Sequence, residues 1–318
     1  MGKEEIIDLK EAQKVVITTV VDNYIDVLLT SKEDVQRPIL VKDGKRKKPL
    51  LAEHGLSFVI EIEDDLEHHT IMMDFGLSSI AVPNNLPILE IDPSSVESFI
   101  ISHGHHDHIG SIKEVLSFIP EPKDVIVHPH AFLETRMHIF SDGRQVPIPS
   151  LKKDAFEQTN CSIKEITSPV KLVDDYAATL TEIPRVTEFE KGLPTAYYKL
   201  NDEIYKDDII DDQALVVNIK NKGLVVISGC GHSGIINTIL YAQKITGVRK
   251  VYAIIGGFHL TGPNFEPIID RTVEEMKKFS PEYIVPTHCT GWKAMERFSK
   301  VFPDNFVLNS VGTKIIIE

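Results

Sequence analysis

Nine consecutive residues, Ser102-His103-Gly104-His105-His106-Asp107-His108-Ile109-Gly110, place four histidines and one aspartate in a single short stretch. Polar groups at that density are buried only when they have partners, so the surrounding fold must supply a shared use for them. The stretch follows Val96-Glu97-Ser98-Phe99-Ile100-Ile101, which reads as a buried strand. It precedes residues 110–119, whose apolar spacing is helical. The histidines therefore sit on a strand-to-helix loop. On such a loop His103 and His105 can point at one metal ion, while Asp107 and His108, after the chain has turned, face a neighbouring one. Neutral imidazole suits zinc, iron, copper or nickel, and a carboxylate beside it extends the range toward manganese. The positive end of the helix starting near Gly110 would lie close to a bound hydroxide or anionic substrate. His106 is the odd member and reads as a substrate-facing or supporting group. The plainer reading of the loop is a satisfied polar cluster, or adventitious metal capture at a surface.

A chain of 318 residues has room for a large core. Its net charge of −13 is spread along the sequence, which argues against a nucleic-acid surface. The basic run Lys42-Asp43-Gly44-Lys45-Arg46-Lys47-Lys48-Pro49 reads as a solvated loop, with an anion-steering edge as the alternative. Cys161, Cys230 and Cys289 are too few and too scattered for a disulfide framework, and they fit a reducing cytosol. No apolar run reaches membrane-spanning length, and Met1–Glu5 lacks a signal-peptide core. Gly2 would suit myristoylation, but Ile6 stands where that motif wants Ser or Thr. A cytoplasmic protein acting on a small molecule is expected, and its oligomeric state is not legible.

In chain order, residues 1–14 read as a polar lead-in of weak helical character, followed by a strand at 15–21. Residues 56–62 and 70–74 read as two strands joined by an acidic turn that carries His68 and His69 at the surface. Asp74 ends the second of these, where its charge needs a partner. The strand 124–127 runs into His128-Pro129-His130, a pair on the substrate side or supporting the ligands. Residues 131–195 lack strong periodicity and hold several prolines, so they read as an inserted lid. Within that stretch, Arg185 suits bidentate binding of phosphate, with a surface salt bridge as the alternative.

The second half repeats the strand-loop pattern. Residues 214–219 and 223–228 read as a hairpin, and the second strand ends in Gly229-Cys230-Gly231-His232 before a helix. The strand at 251–255 ends in Gly256-Gly257-Phe258-His259, and that at 283–285 in Pro286-Thr287-His288-Cys289. Three successive strands thus end in a histidine, and a common sheet edge would gather all three. His232 and His288 are expected as metal ligands, and His259 as either a ligand or a proton-transfer group. Cys230 reads either as a zinc-binding thiolate or as a buried thiol.

The motif His-x-His-x-Asp-His after a buried strand resembles the signature of the metallo-β-lactamase superfamily. The resemblance implies an α/β (α+β) four-layer αββα sandwich with metals between its two sheets, here a single domain over residues 1–318 with the 131–195 insertion. It implies two divalent ions, zinc foremost, with manganese, iron or magnesium as alternatives. It gives Asp74 the task of ordering the histidine loop. Cys230 stands where many members carry a metal-bridging aspartate, and no histidine motif precedes its strand to complete the first metal.

A wider set of segments resembles one branch of that superfamily: Asp22-Asn23-Tyr24, Ala52-Glu53-His54-Gly55-Leu56-Ser57, Ser228-Gly229-Cys230-Gly231-His232, Ile255-Gly256-Gly257-Phe258-His259-Leu260 and Pro286-Thr287-His288-Cys289-Thr290-Gly291. The branch is the 7,8-dihydropterin-6-methyl-4-(β-D-ribofuranosyl)aminobenzene-5′-phosphate synthase family of methanopterin biosynthesis. The resemblance implies that a dihydropterin methyl diphosphate is joined to an aryl amine with release of diphosphate. In that chemistry Arg185 would clamp a phosphate, His259 would take the amine proton, and His54 would reach the pterin or the metals, with a turn or core-edge role as the alternative for His54. A dinuclear hydrolase of a phosphoester, lactone or amide needs the same ligands, with Asp107 orienting the nucleophile or receiving its proton. A metal sensor and a diiron oxygen-reducing protein are further alternatives. All ligands of the histidine loop are present, and no flavin-binding domain accompanies the sandwich.

Overall fold

The computed structural model describes residues 6–318. One mostly antiparallel sheet has eight strands in the order Cys161–Glu165, Lys123–Val127, Ser98–Ile100, His68–Met73, Ser57–Glu63, Lys14–Val21, Lys314–Ile317 and Val35–Gln36. A second has seven: Lys171–Leu172, Ala177–Leu180, Ala214–Ile219, Gly223–Ser228, Val251–Gly257 and Tyr283–Thr287 in order, with Glu11–Ala12 beside Ala214–Ile219. Their central strands are β-branched runs buried on both faces, as a sheet covered on each side requires. Ile17, Ile60, Ile71 and Ile100 from the first sheet pack against Leu215, Val217, Val225 and Ile255 from the second.

Helices close the two outer faces. Val82, Leu86, Val115 and Leu116, from helices Ala81–Ile88 and Ile112–Leu116, pack on Val59, Phe99 and Val125. Ile235, Ile239, Val273 and Phe298, from helices Ile235–Thr246, Ile269–Lys277 and Trp292–Val301, pack on Val226, Ile254 and Ile284. Each such side chain contributes about 1.5–3 kcal/mol on burial. The layers are α, β, β, α, as expected. Among the described residues no helix is long and apolar enough to cross a membrane.

Strand direction is what positions the site. Ser98–Ile100 runs parallel to both its neighbours, and Gly223–Ser228, Val251–Gly257 and Tyr283–Thr287 run parallel to one another. Their carboxyl ends therefore lie along common edges, where ligands of parallel sheets gather.

Three local expectations differ from the structure. Residues 6–14 contain no helix: Glu11–Ala12 is a short strand, and Ile7 donates its amide to the Ile245 carbonyl at 2.7 Å. The stretch 131–195 divides. Arg136–Ile139 and Gln145–Pro147 pair with Ala196–Leu200 and Glu203–Lys206 as a separate four-stranded sheet, whereas residues 161–165, 171–172 and 177–180 are strands of the two large sheets. Strands this short carry too few residues for alternation to show. His69 is also buried within its strand rather than exposed in a turn, with Nδ1 at 3.0 Å from Glu97.

Candidate metal centre

The loop after Ser98–Ile100 and the loop after Gly223–Ser228 meet at the sheet edge and bring His103, His105 and His232 together. Their donor atoms lie within 4.8 Å of one another, and all three residues are buried. His103 Nε2 and His232 Nε2 face each other at 3.2 Å. A second set joins Asp107, His108 and His288, again within 4.8 Å. In it, Asp107 Oδ2 lies 3.2 Å from His288 Nε2 and 4.0 Å from His108 Nε2. Cys230 Sγ lies 3.2 Å from His108 Nε2, and also groups with His103.

The imidazoles are held from behind. Asp74 Oδ2 is 2.6 Å from His108 Nδ1, and its two oxygens accept the Ser102 amide and hydroxyl, each at 2.7 Å. The Ser102 hydroxyl proton is thus committed to Asp74, so its oxygen accepts from His103 Nδ1 at 3.0 Å. His288 Nδ1 donates to Asn23 Oδ1 at 2.9 Å, and the His288 amide donates to Asp22 at 2.9 Å. The bonds at Nδ1 of His103 and His288 fix the tautomer that leaves an Nε2 lone pair facing the cluster, and the bond to Asp74 fixes the orientation of His108. Three residues of the site carry left-handed backbone: Asp74, His259 and His288 have φ of 65°, 44° and 47°.

A buried charge network supports the first histidine loop. Arg136 reaches Asp207 at 2.9 Å and Asp211 at 2.6 and 3.0 Å, and Asp211 accepts the Gly104 amide at 2.8 Å. Gly104 itself allows the loop to close: a Cβ there would lie 2.2 Å from the Ala131 carbonyl oxygen. Burial raises the Asp211 carboxyl, but Arg136 overcomes it and holds the group near 2.

The electrostatics suit cations. Burial, reinforced by neighbouring histidines, holds His103 and His232 neutral well below the ordinary imidazole range. Burial and the Arg136 charge bring His105 down to about 3. Burial works against protonation of His108, yet Asp74 and Asp107 together push it up to about 9. Burial would raise Asp107, but His108, His288 and His105 hold it below the usual carboxylate range. His105 Nε2 is buried with no hydrogen-bond partner among the described residues. The imidazoles of His103, His105 and His232, the Asp107 carboxylate and the Cys230 thiol, together with His108 once it gives up its second proton to a bound cation, form a donor set that fits divalent metal.

The other sequence candidates surround these two sets. His259 lies against His232 with ring centroids 4.2 Å apart and the rings tilted, and its Nδ1 is buried with no hydrogen-bond partner among the described residues. His54 is mostly exposed, 3.1 Å from Asn23 and 3.8 Å from Asp107. His106 Nδ1 is buried with no partner among the described residues. Arg185 departs from a free phosphate clamp: its Nη2 donates to the carbonyls of Asp208 at 2.5 Å and His232 at 3.5 Å, so it braces the His232 loop. His128 pairs with Glu182 at 3.2 Å and takes the His130 amide at 3.1 Å, behind the histidine loop. Burial pushes the Cys230 thiol up, so a metal would have to displace its proton for it to ligate.

His232, expected from the sequence as a ligand, joins His103 and His105 in the first set and lies two residues after Cys230 in the loop that follows Gly223–Ser228. Asp22, Asn23 and Cys289 stood in segments of family resemblance with no role assigned to them, and Asp211 and Arg136 gave no local signal of their place at the site.

Residues 52–239 match the Metallo-beta-lactamase superfamily. The chain is similar to the 7,8-dihydropterin-6-methyl-4-(beta-D-ribofuranosyl)-aminobenzene-5'-phosphate synthase of Methanocaldococcus jannaschii, with 32% identity over 264 residues, covering 81% of this chain and 88% of the relative. It is also 31% identical over 278 residues to the uncharacterized protein MJ0448 of the same organism, covering 87% of this chain and 98% of that one. Among solved structures it resembles Tm1679, described as a metal-dependent hydrolase of the beta-lactamase superfamily, with TM-score 0.69, 22% identity and coverage of 96% and 98%. It also resembles the metallo-beta-lactamase fold protein YhfI from Bacillus subtilis, with TM-score 0.52, 12% identity and coverage of 96% and 100%. These two structural likenesses concern the fold.

Proposed function

The chain belongs to the metallo-β-lactamase superfamily, and from that premise we propose that it is a metal-dependent transferase joining a dihydropterin methyl diphosphate to a ribofuranosylaniline phosphate. The observation that carries the reading is the pair of complete donor triads, in a chain similar over 81% of its length to the synthase. His103, His105 and His232 would hold one divalent ion, and Asp107, His108 and His288 the other. The imidazole-rich donors and the thiol of Cys230 between the two sets favour zinc. Bound there, the ions would supply Lewis acidity toward the leaving diphosphate oxygens and orient two anionic substrates.

The remaining work falls to the protein. The methylene C–O bond breaks and a C–N bond forms, so the aryl amine must give up one proton. His259 would take it: its buried Nδ1 has no hydrogen-bond partner among the described residues, and its ring is held between His232 and Phe265. His54, exposed beside Asp107 and Asn23, offers a substrate contact at the rim, and His106 offers one from the loop itself. The Arg185 bonds to backbone carbonyls keep His232 in register while the substrates exchange.

The test supplies metal-loaded protein with the dihydropterin diphosphate, with and without the aryl amine, and follows diphosphate and coupled product. Diphosphate release that requires the amine and yields the coupled pterin is the expected result. Release without the amine, or no turnover beside ready cleavage of a phosphodiester or lactone, would place the chain among the hydrolases.

A further inference from the structure

Beside the two triads lies a third group of donors. Cys230, His259 and Cys289 bring two sulfur atoms and an imidazole nitrogen within 4.8 Å of one another. The three residues follow consecutive parallel strands, Gly223–Ser228, Val251–Gly257 and Tyr283–Thr287, so the sheet itself sets their spacing. Both cysteines are buried and neither is in a disulfide. The Cys289 thiol donates to the Cys230 carbonyl at 3.3 Å, which ties the two loops together.

Two backbone features keep the space between the donors. A Cβ at residue 257 would lie 2.7 Å from Cys289 Sγ, so only glycine lets the thiol stand there. His259 has φ of 44°, a strained value for a residue with a side chain, and its Nδ1 is left buried with no hydrogen-bond partner among the described residues. Strain at a buried, unpartnered donor is the kind that a ligand repays.

We propose that Cys230, His259 and Cys289 form a sulfur-rich metal position beside the histidine triads, selective for a soft or borderline cation such as zinc. A tetrahedral zinc with Zn–S of about 2.3 Å needs donors roughly 3.8 Å apart, a modest contraction of the observed group. Two thiolates and one imidazole form a donor set used by catalytic zinc, with the fourth position open to water or substrate, and thiolates disfavour magnesium and manganese. Because this position would draw on His259, it competes with the proton-accepting role proposed for that residue. The assignment of the two triads does not depend on it.

Cobalt substitution of the intact protein under reductant tests the inference without relying on turnover. Thiolate-to-cobalt charge transfer in the near ultraviolet is expected, with metal analysis giving one ion fewer per chain in both Cys289→Ser and His259→Ala, while His232→Ala keeps the thiolate band. Absence of the band in the wild-type protein would overturn the proposal. So would an unchanged band and metal content in Cys289→Ser, which would leave Cys230 acting with the histidine triads alone. Thermal melts of chelator-treated Cys289→Ser and wild-type protein separate lost metal from lost folding, because a ligand role predicts equal stability once metal is removed.

Discussion

His108 Nδ1 and Asp74 Oδ2 lie 2.6 Å apart, both side chains fully buried, in the pairing that fixes the imidazole at the centre of the site. Asp74 also receives two hydrogen bonds from Ser102, so one carboxylate organises the start and the end of the histidine loop. Asp74→Ala should lower metal affinity about 10–100-fold, the usual consequence of losing a group that orients a ligand. Competition with a chromogenic chelator measures it. Unchanged affinity in a folded Asp74→Ala protein would mean that the loop is ordered by other contacts.

Metal-free stability should depend on pH from both sides. His103, His105 and His232 are held neutral, with folded pKa values below the ordinary 6.5. As pH falls from 6.5, the unfolded chain takes up protons that the folded chain refuses, down to about 3 for His105, so stability declines through that window. His108 runs the opposite way. Its folded pKa is raised to about 9, so its contribution is full below 6.5 and is lost as pH rises toward 9. Denaturant melts of chelator-treated protein across this range should show a loss at both ends, and His105→Gln should soften the acid limb. A profile unaffected by that substitution would contradict the burial argument.

Arg136 is buried between Asp207 and Asp211. Arg136→Met strands both carboxylates without a partner, and removal of one member from a buried charge group costs about 3–5 kcal/mol. The loss should appear in the denaturant midpoint. Arg136→Lys should not restore it, because a lysine cannot bond both carboxylates in the forked geometry. Full stability in Arg136→Lys would show that charge alone suffices.

The histidine loop was legible because its residues are contiguous and polar where a strand should meet a helix. The three strand-end histidines were legible because strand and loop alternate regularly from residue 214 to 291. Residues that act across the fold were not. Asn23 bonds His288 across 265 positions, and Arg136 bonds Asp211 across 75. Neither pair leaves a trace in local composition. The boundaries of the small four-stranded sheet were obscured for another reason: strands of two to five residues at 161–180 belong to the large sheets but are too short to show a period. The Arg185 guanidinium suits phosphate by its chemistry, yet its direction depends on the carbonyls that the folded loops place beside it.

Metal content per chain is the most direct test of the central claim, that two donor triads at the sheet edge hold metal. Wild-type, His232→Ala and His288→Ala proteins would be loaded with zinc, desalted and assayed by elemental analysis alongside circular dichroism. Each variant is predicted to remain folded and to lose one ion, because each removes one member from a different triad. Wild-type zinc content in both folded variants would contradict the account.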